Sequence, residues 1–258
     1  MQDLSISLVQ TKLHWEDPSK NLEMLSKKMS ALKNSGTHLI VLPEMFNTGF
    51  SMNAKNLAES MDGQTVNWMQ KKAAELNVVI VGSLIINEQG KYFNRLIWMR
   101  PDGTYETYDK KHLFRLSDEP NIYSAGDKKL IVELNGWKIC PQICYDLRFP
   151  VWNRNAENYD LLLFVANWPE RRNTAWKTLL LARAIENQSY VVGLNRVGAD
   201  GNEAYHSGDS GVIDPMGDVL WQEPDKEVIK TVILSASHLK SIREKLPFLQ
   251  DGDAFEVK

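Results

Sequence analysis

The chain has 258 residues, 43% of them hydrophobic and 24% charged, with a net charge of -3. That length admits one large α/β domain or two smaller ones, and a chain of this size can bury roughly three quarters of its unfolded surface. The sequence has neither a basic field nor a long basic run, so no nucleic acid and no anionic membrane is expected as a partner; the pairs Lys27-Lys28, Lys71-Lys72 and Lys128-Lys129 read as solvated faces.

The opening MQDLSISLVQ alternates apolar with polar and carries an acid, which reads as a strand over Leu4–Gln10 and not as a secretion signal. Asp17 can cap a helix with Pro18 in its first turn; Leu22, Leu25, Met29 and Leu32 keep helical spacing, and Gly36 can end it. The strand THLIVLP follows and delivers Glu44 to its own end. A helix over residues 64–76 precedes two buried strands, VVIVGSLII and YFNRLIWM. The second half alternates in the same way: a strand near residues 130–134, WKICPQIC as another, a short helix over 151–157, the strand LLLFVA, and a helix over 173–187 with Trp176, Leu180 and Ala184 four apart. YVVGLN, SGVIDP and VIKTVIL read as late strands. No linker, repeat or composition break divides the chain, so one domain of mixed α and β layers is expected over residues 1–258: a core of about 3–235, then a helix and a surface tail or dimer arm over 236–258. No apolar run approaches the roughly 20 residues that span a bilayer.

Both cysteines lie in KICPQICYDLRFP. The five histidines are scattered singly, without the paired spacing of a structural zinc site, so no metal is expected. Cys140 and Cys144 in one strand would stand about 13 Å apart at ~3.3 Å per residue, too far for a disulfide. Two cysteines without an export signal point to a reducing cytoplasm. Cys140, inside the apolar run, reads as a small buried hydrophobe. Cys144 falls where that run stops, at a strand-to-turn edge, and open α/β architectures gather their sites there. A free thiol is only a few per cent ionised at neutral pH, so a nucleophilic cysteine needs a base or a cation beside it. Glu44 and Lys110 are groups of that type at similar places in the alternation.

Taken together, LIVLPEMFNTGF, YDKKHLF and ICYDLRFP, in that order and at intervals of 66 and 34 residues, resemble the nitrilase superfamily of carbon-nitrogen hydrolases. CYDLRFPVW, VANWP and ARAIENQSYVVGLNRVG look most like its bacterial omega-amidase branch, which acts on the terminal amide of alpha-keto acid amides such as 2-oxoglutaramate and 2-oxosuccinamate. The resemblance implies a four-layer α-β-β-α sandwich, a homodimer packed across helices, a small amide as substrate, and no metal or organic cofactor. It implies Cys144 as nucleophile, Glu44 as general base and Lys110 as cationic stabiliser. Glu119, seven residues before Gly126, matches the second glutamate of the family, which holds the lysine and the leaving group in position. Lys111 receives no role. The backbone N–H of Tyr145 is the expected oxyanion partner of Lys110.

A keto acid amide carries a distant carboxylate, for which a bidentate arginine is the natural partner. Arg148, four residues after the thiol, is the first candidate, with a structural ion pair as its alternative; Arg171 and Arg172 follow NWPE. Phe46, Phe114 and Trp168 are expected to line the pocket or simply to pack. GDSGV at 208–212 matches the segment around a serine-protease nucleophile but has no histidine segment to serve it, and a turn into a strand accounts for it. The rival readings are a carbamoylase or nitrilase, which would share every catalytic residue; a non-catalytic binding module, which would tolerate loss of Cys144; and a cysteine protease, which would need a histidine base that no recognised segment here supplies.

Overall fold

The computed structural model describes residues 1–256. β1 (Leu4–Gln10) leads into α1 (Pro18–Met29), which starts where the Asp17 carboxylate accepts from the Lys20 N–H and where proline needs no N–H partner. A 3-10 turn over Ser30–Leu32 closes α1, so Gly36 is a loop residue and not the helix stop that spacing suggested. Next come β2 (Leu39–Val41), the single turn α2 (Ala54–Leu57), α3 (Gln64–Leu76), β3 (Val79–Glu88), β4 (Lys91–Met99), β5 (Tyr105–Asp109) and the single turn α4 (Glu119–Ile122). The second half contains β6 (Val132–Leu134), β7 (Trp137–Ile143), α5 (Pro150–Asn153), β8 (Leu161–Ala166), α6 (Asn173–Asn187), β9 (Tyr190–Asn195), β10 (Val197–Ala199), β11 (Tyr205–Ile213), β12 (Val219–Pro224), β13 (Val228–Leu234) and α7 (Ala236–Lys245).

The helix expected over 151–157 is cut to α5. The Asn155 side chain binds both the N–H and the carbonyl of Tyr159, offering the backbone a loop in place of further helical turns. β5, β10 and β12 were not anticipated, because their short or half-exposed sequences carry little apolar pattern.

The strands form two mixed sheets. One has the order β13-β1-β2-β3-β4-β5, with β1, β2 and β3 parallel. The other runs β10-β11-β9-β8-β7-β6, with β7, β8 and β9 parallel and β12 paired to β11. Strand periodicity then builds the layers. In the first sheet Leu4, Ile6, Leu8, Val79 and Val81 face inward and join Ile139, Ile143, Leu161 and Leu163 of the second sheet in one core. The alternate residues Val9, Ile40, Ile80 and Ile97 face outward and are covered by Leu22, Leu25, Val66 and Met69 of α1 and α3. Trp176, Leu180 and Ala184 of α6 cover the second sheet, giving helix, sheet, sheet, helix. α7 is tied back by Arg243, which donates to Asp160 and to the Tyr159 carbonyl. A 3-10 turn over Phe248–Asp251 begins the tail expected over 236–258, of which residues 257–258 lie outside the described part. No helix among the described residues is long and apolar enough to cross a membrane.

Candidate active site

Four strand ends meet at one rim of the two-sheet core. Glu44 follows β2 and Lys110 follows β5 in the first sheet; Cys144 follows β7 and Asn167 follows β8 in the second. Two of these turns hold non-glycine residues in left-handed backbone: Met45, directly after Glu44, at φ 43°, and Cys144 itself, also at φ 43°. Such a conformation costs on the order of 1–3 kcal/mol and persists only where the surroundings enforce it. At Cys144 it breaks the strand and starts the 3-10 turn Cys144–Arg148, which carries the thiol out of the sheet.

The charged groups converge. Lys110 Nζ donates to Glu44 Oε1 at 2.9 Å and to both oxygens of Glu119 at 3.0 Å. All three side chains are buried. Glu44 Oε1 also accepts from Asn94 Nδ2 at 2.8 Å, and Oε2 accepts from the Asn167 N–H at 2.9 Å. Two donors occupy Oε1 and one occupies Oε2, which leaves a lone pair of Oε2 for the neighbouring thiol. Glu119 is held in turn by the Phe114 N–H at 2.5 Å. Phe50 lies under the Lys110 ammonium, 5.0 Å from its ring centre.

Burial by itself would lower the Lys110 ammonium, but Glu119, Glu44 and the neighbouring thiol more than offset it and hold the lysine above its ordinary value. Burial pushes Glu119 up, opposed by Lys110 and reinforced by Glu44. Burial also pushes the Cys144 thiol well up, as does the Glu44 charge, while Lys110 pulls it down. Cys140 is driven up as well, to about 12, by burial. Acidity therefore does not distinguish the two cysteines; position does. Cys140 is sealed in the core with Gln142 as its polar neighbour, whereas Cys144 opens into a cavity of about 640 Å³.

That cavity is lined by Glu44, Lys110 and Cys144 at its base and by Phe114, Tyr145, Arg148, Trp168 and Arg172 around them. Arg148 sits over the Trp168 ring at 4.9 Å and Arg172 over the Phe114 ring at 4.8 Å. Neither guanidinium has a carboxylate partner among the described residues, so the ion pair that was the alternative reading of Arg148 is not formed. Burial, then Arg171, lower the Arg172 guanidinium, with Arg148 adding to the effect.

Phe46 is a correction. It is fully buried in the outer core, 5.8 Å from Trp68 and above Gly82, where a Cβ would lie 2.7 Å from its ring. The left-handed turn at Met45 sends Glu44 and Phe46 to different sides, and the position under Lys110 is filled instead by Phe50. Ser210 of GDSGV is a strand residue bonded to the backbone of Asn195, not a nucleophile. Sequence reasoning missed Asn94, Asn167 and Phe50. An asparagine in the middle of the apolar run YFNRLIWM was the available signal, since buried polar groups are kept for their hydrogen bonds.

Two mixed sheets flanked by helices are the architecture of the carbon-nitrogen hydrolases, and the chain belongs to that family, whose model matches residues 5–244. Among its relatives, omega-amidase YafV of Escherichia coli (strain K12) is 45% identical over 258 residues, 100% of each chain. A 2-oxoglutaramate amidase of Bacillus subtilis (strain 168) is 32% identical over 254 residues, 96% of each. A CN-hydrolase superfamily protein of Xanthomonas campestris, crystallised with an arsenic adduct in its active site, superposes with a TM-score of 0.98 at 46% identity over 100% of both chains.

Proposed function

We propose that the protein is an omega-amidase that hydrolyses the terminal amide of alpha-keto acid amides, 2-oxoglutaramate and 2-oxosuccinamate among them, to the dicarboxylic keto acid and ammonia. The observation that carries this reading is the set of guanidiniums without a carboxylate partner among the described residues, Arg148, Arg171 and Arg172, that line the same cavity as the thiol. Such a substrate has an amide at one end and a carboxylate at the other, and the cavity offers a nucleophile and a bidentate anion partner to match. The names of the full-length relatives point the same way.

In this mechanism Glu44 takes the Cys144 proton through its free lone pair as the sulfur attacks the amide carbonyl. With the resting thiol pushed up by burial, proton removal and attack belong to one step. The oxyanion is met by Lys110 Nζ and the Tyr145 N–H. Glu119 and Asn94 fix Lys110 and Glu44, so little reorganisation is needed as charge develops. Glu44 returns the proton to nitrogen, ammonia leaves, and a thioester stays on Cys144. Water deprotonated by Glu44 then attacks the thioester and releases the carboxylic acid and the thiol. Both cysteines are free, as is usual for proteins of a reducing cytoplasm, which supports a cytoplasmic site of action. A homodimer remains part of the proposal from the family resemblance, and sedimentation reads it directly.

The test is ammonia release from 2-oxoglutaramate, N-carbamoyl amino acids and nitriles in parallel, with intact mass after an acid quench. An acyl adduct on Cys144 and preference for the keto acid amide are expected. Faster turnover of the carbamoyl compound or the nitrile would reassign the substrate within the same chemistry.

A further inference from the structure

The carboxylate of Asp146 is fully buried and belongs to no step above. Its Oδ2 accepts from Tyr108 OH at 2.8 Å and from the Ile143 N–H at 3.2 Å; its Oδ1 accepts from the His112 N–H at 2.9 Å and from His112 Nδ1 at 2.8 Å. Asp146 stands two residues after Cys144, and His112 two residues after Lys110. A single acceptor therefore joins the strained turn that carries the thiol and the Tyr145 N–H to the loop that carries the ammonium. The His112 ring also lies flat on Phe149, at 3.6 Å and 6°, and the edge of Phe149 meets Tyr145 at 5.1 Å. The turn is thus held at its start through Asp146 and at its end through Phe149, both by the same imidazole. A carboxylate that already accepts at both oxygens requires the ring proton on Nδ1.

We propose that His112, clamped between Asp146 and Phe149, is a positioning residue for the hydrolysis: it sets the distance between the two oxyanion donors, Lys110 Nζ and the Tyr145 N–H. The inference rests on the amidase reading above. A misplacement of about 1 Å in such a constellation is worth on the order of 100-fold in rate. Its signature is a loss mainly in kcat, because the two oxyanion donors act only as charge develops, whereas Arg172, which lies outside the clamped turn, still meets the distal carboxylate.

His112→Leu and His112→Asn are compared with the wild-type enzyme on 2-oxoglutaramate, with thermal melts of each. Leucine keeps bulk but no donor; asparagine retains a donor for Asp146. The expected result is a fall in kcat of about 100-fold for His112→Leu with KM within about 3-fold, and recovery of at least about 10-fold of that loss in His112→Asn. Unchanged kcat in His112→Leu, equal losses in both variants, or a loss carried by KM would overturn the proposal. If His112→Leu does not fold, Phe149→Leu decides: it removes the stack and leaves the four bonds to Asp146, and undiminished kcat in it likewise overturns the idea. Wild-type turnover of 2-oxoglutaramate tests the amidase reading separately, since its absence tells against that reading and not against the clamp.

Discussion

Asp109 and Lys110 are neighbours in sequence at the end of β5, and each belongs to a cation held by two carboxylates. On one side Arg95 is gripped by Asp109 at 2.7 Å and Glu88 at 3.1 Å; on the other Lys110 is gripped by Glu44 at 2.9 Å and Glu119 at 3.0 Å. The ingredients match and the surroundings do not. In the Arg95 group the side-chain exposures are 7%, 21% and 51%, with Glu88 in water; in the Lys110 group they are 1%, 0% and 0%. Screening by solvent makes the first a brace between adjacent strands. Sealing the second beside a thiol and a cavity turns the same charges into a device that can take a proton and meet an oxyanion. Burial and company, not residue type, separate structural from reactive ions in this protein.

The comparison can be broken most severely at the thiol. Cys144→Ala is expected to cost about 10⁴-fold or more in turnover and to abolish the acyl adduct seen by mass, while the Arg95 group and the melting curve stay as they are. Lys110→Met comes next. One missing oxyanion donor costs about 10² to 10³ in kcat, and the two carboxylates left without their cation should lower stability by about 3–5 kcal/mol in urea unfolding. Because Lys110 is what pulls the thiol down, the pH profile of Cys144 alkylation should also move to higher pH in that variant. Arg95→Met sharpens the contrast: about 1–3 kcal/mol of stability lost, since Asp109 loses its bidentate partner, with kcat within about 3-fold of wild type. The smallest effect is expected of Glu88→Gln, below about 1 kcal/mol and reduced further by salt. Hydrogen bonds from Arg95 hold the Glu88 carboxyl below its ordinary value. Its contribution is therefore present above the unfolded pKa and lost as pH falls through the lower folded one, so wild type and variant should converge in acid.

Several parts of this picture were legible before folding. Apolar runs that stop at LIVLP and KICPQI announce where two strands deliver Glu44 and Cys144, whereas Lys110 is legible only through its motif, because the strand before it, YETYD, carries little apolar pattern. Gly126, too, earns its place beside Glu119: a Cβ there would meet the Asp109 carbonyl at 2.2 Å, so glycine alone lets that loop pass. Arg148, Arg171 and Arg172 are all candidates in the sequence, but that Arg148 and Arg172 each lie over an aromatic ring in one cavity is not visible in NWPE. Phe46 was misread because one left-handed residue intervenes between it and Glu44, and no pattern in LIVLPEMF records that turn.

By itself the sequence determined the alternation of strands and helices, the family motifs and the types of group available at each strand end, since these follow from periodicity and from which residues stand next in the chain. Only the tertiary structure decided that four strand ends from two sheets share one rim, that Asn94, Asn167 and Phe50 complete the charged centre, and that His112 reaches Asp146. Those are contacts between residues 34 to 123 positions apart, and what joins them is the strand order within the first sheet together with the packing of the two sheets on each other, a property of the whole core and of no local segment.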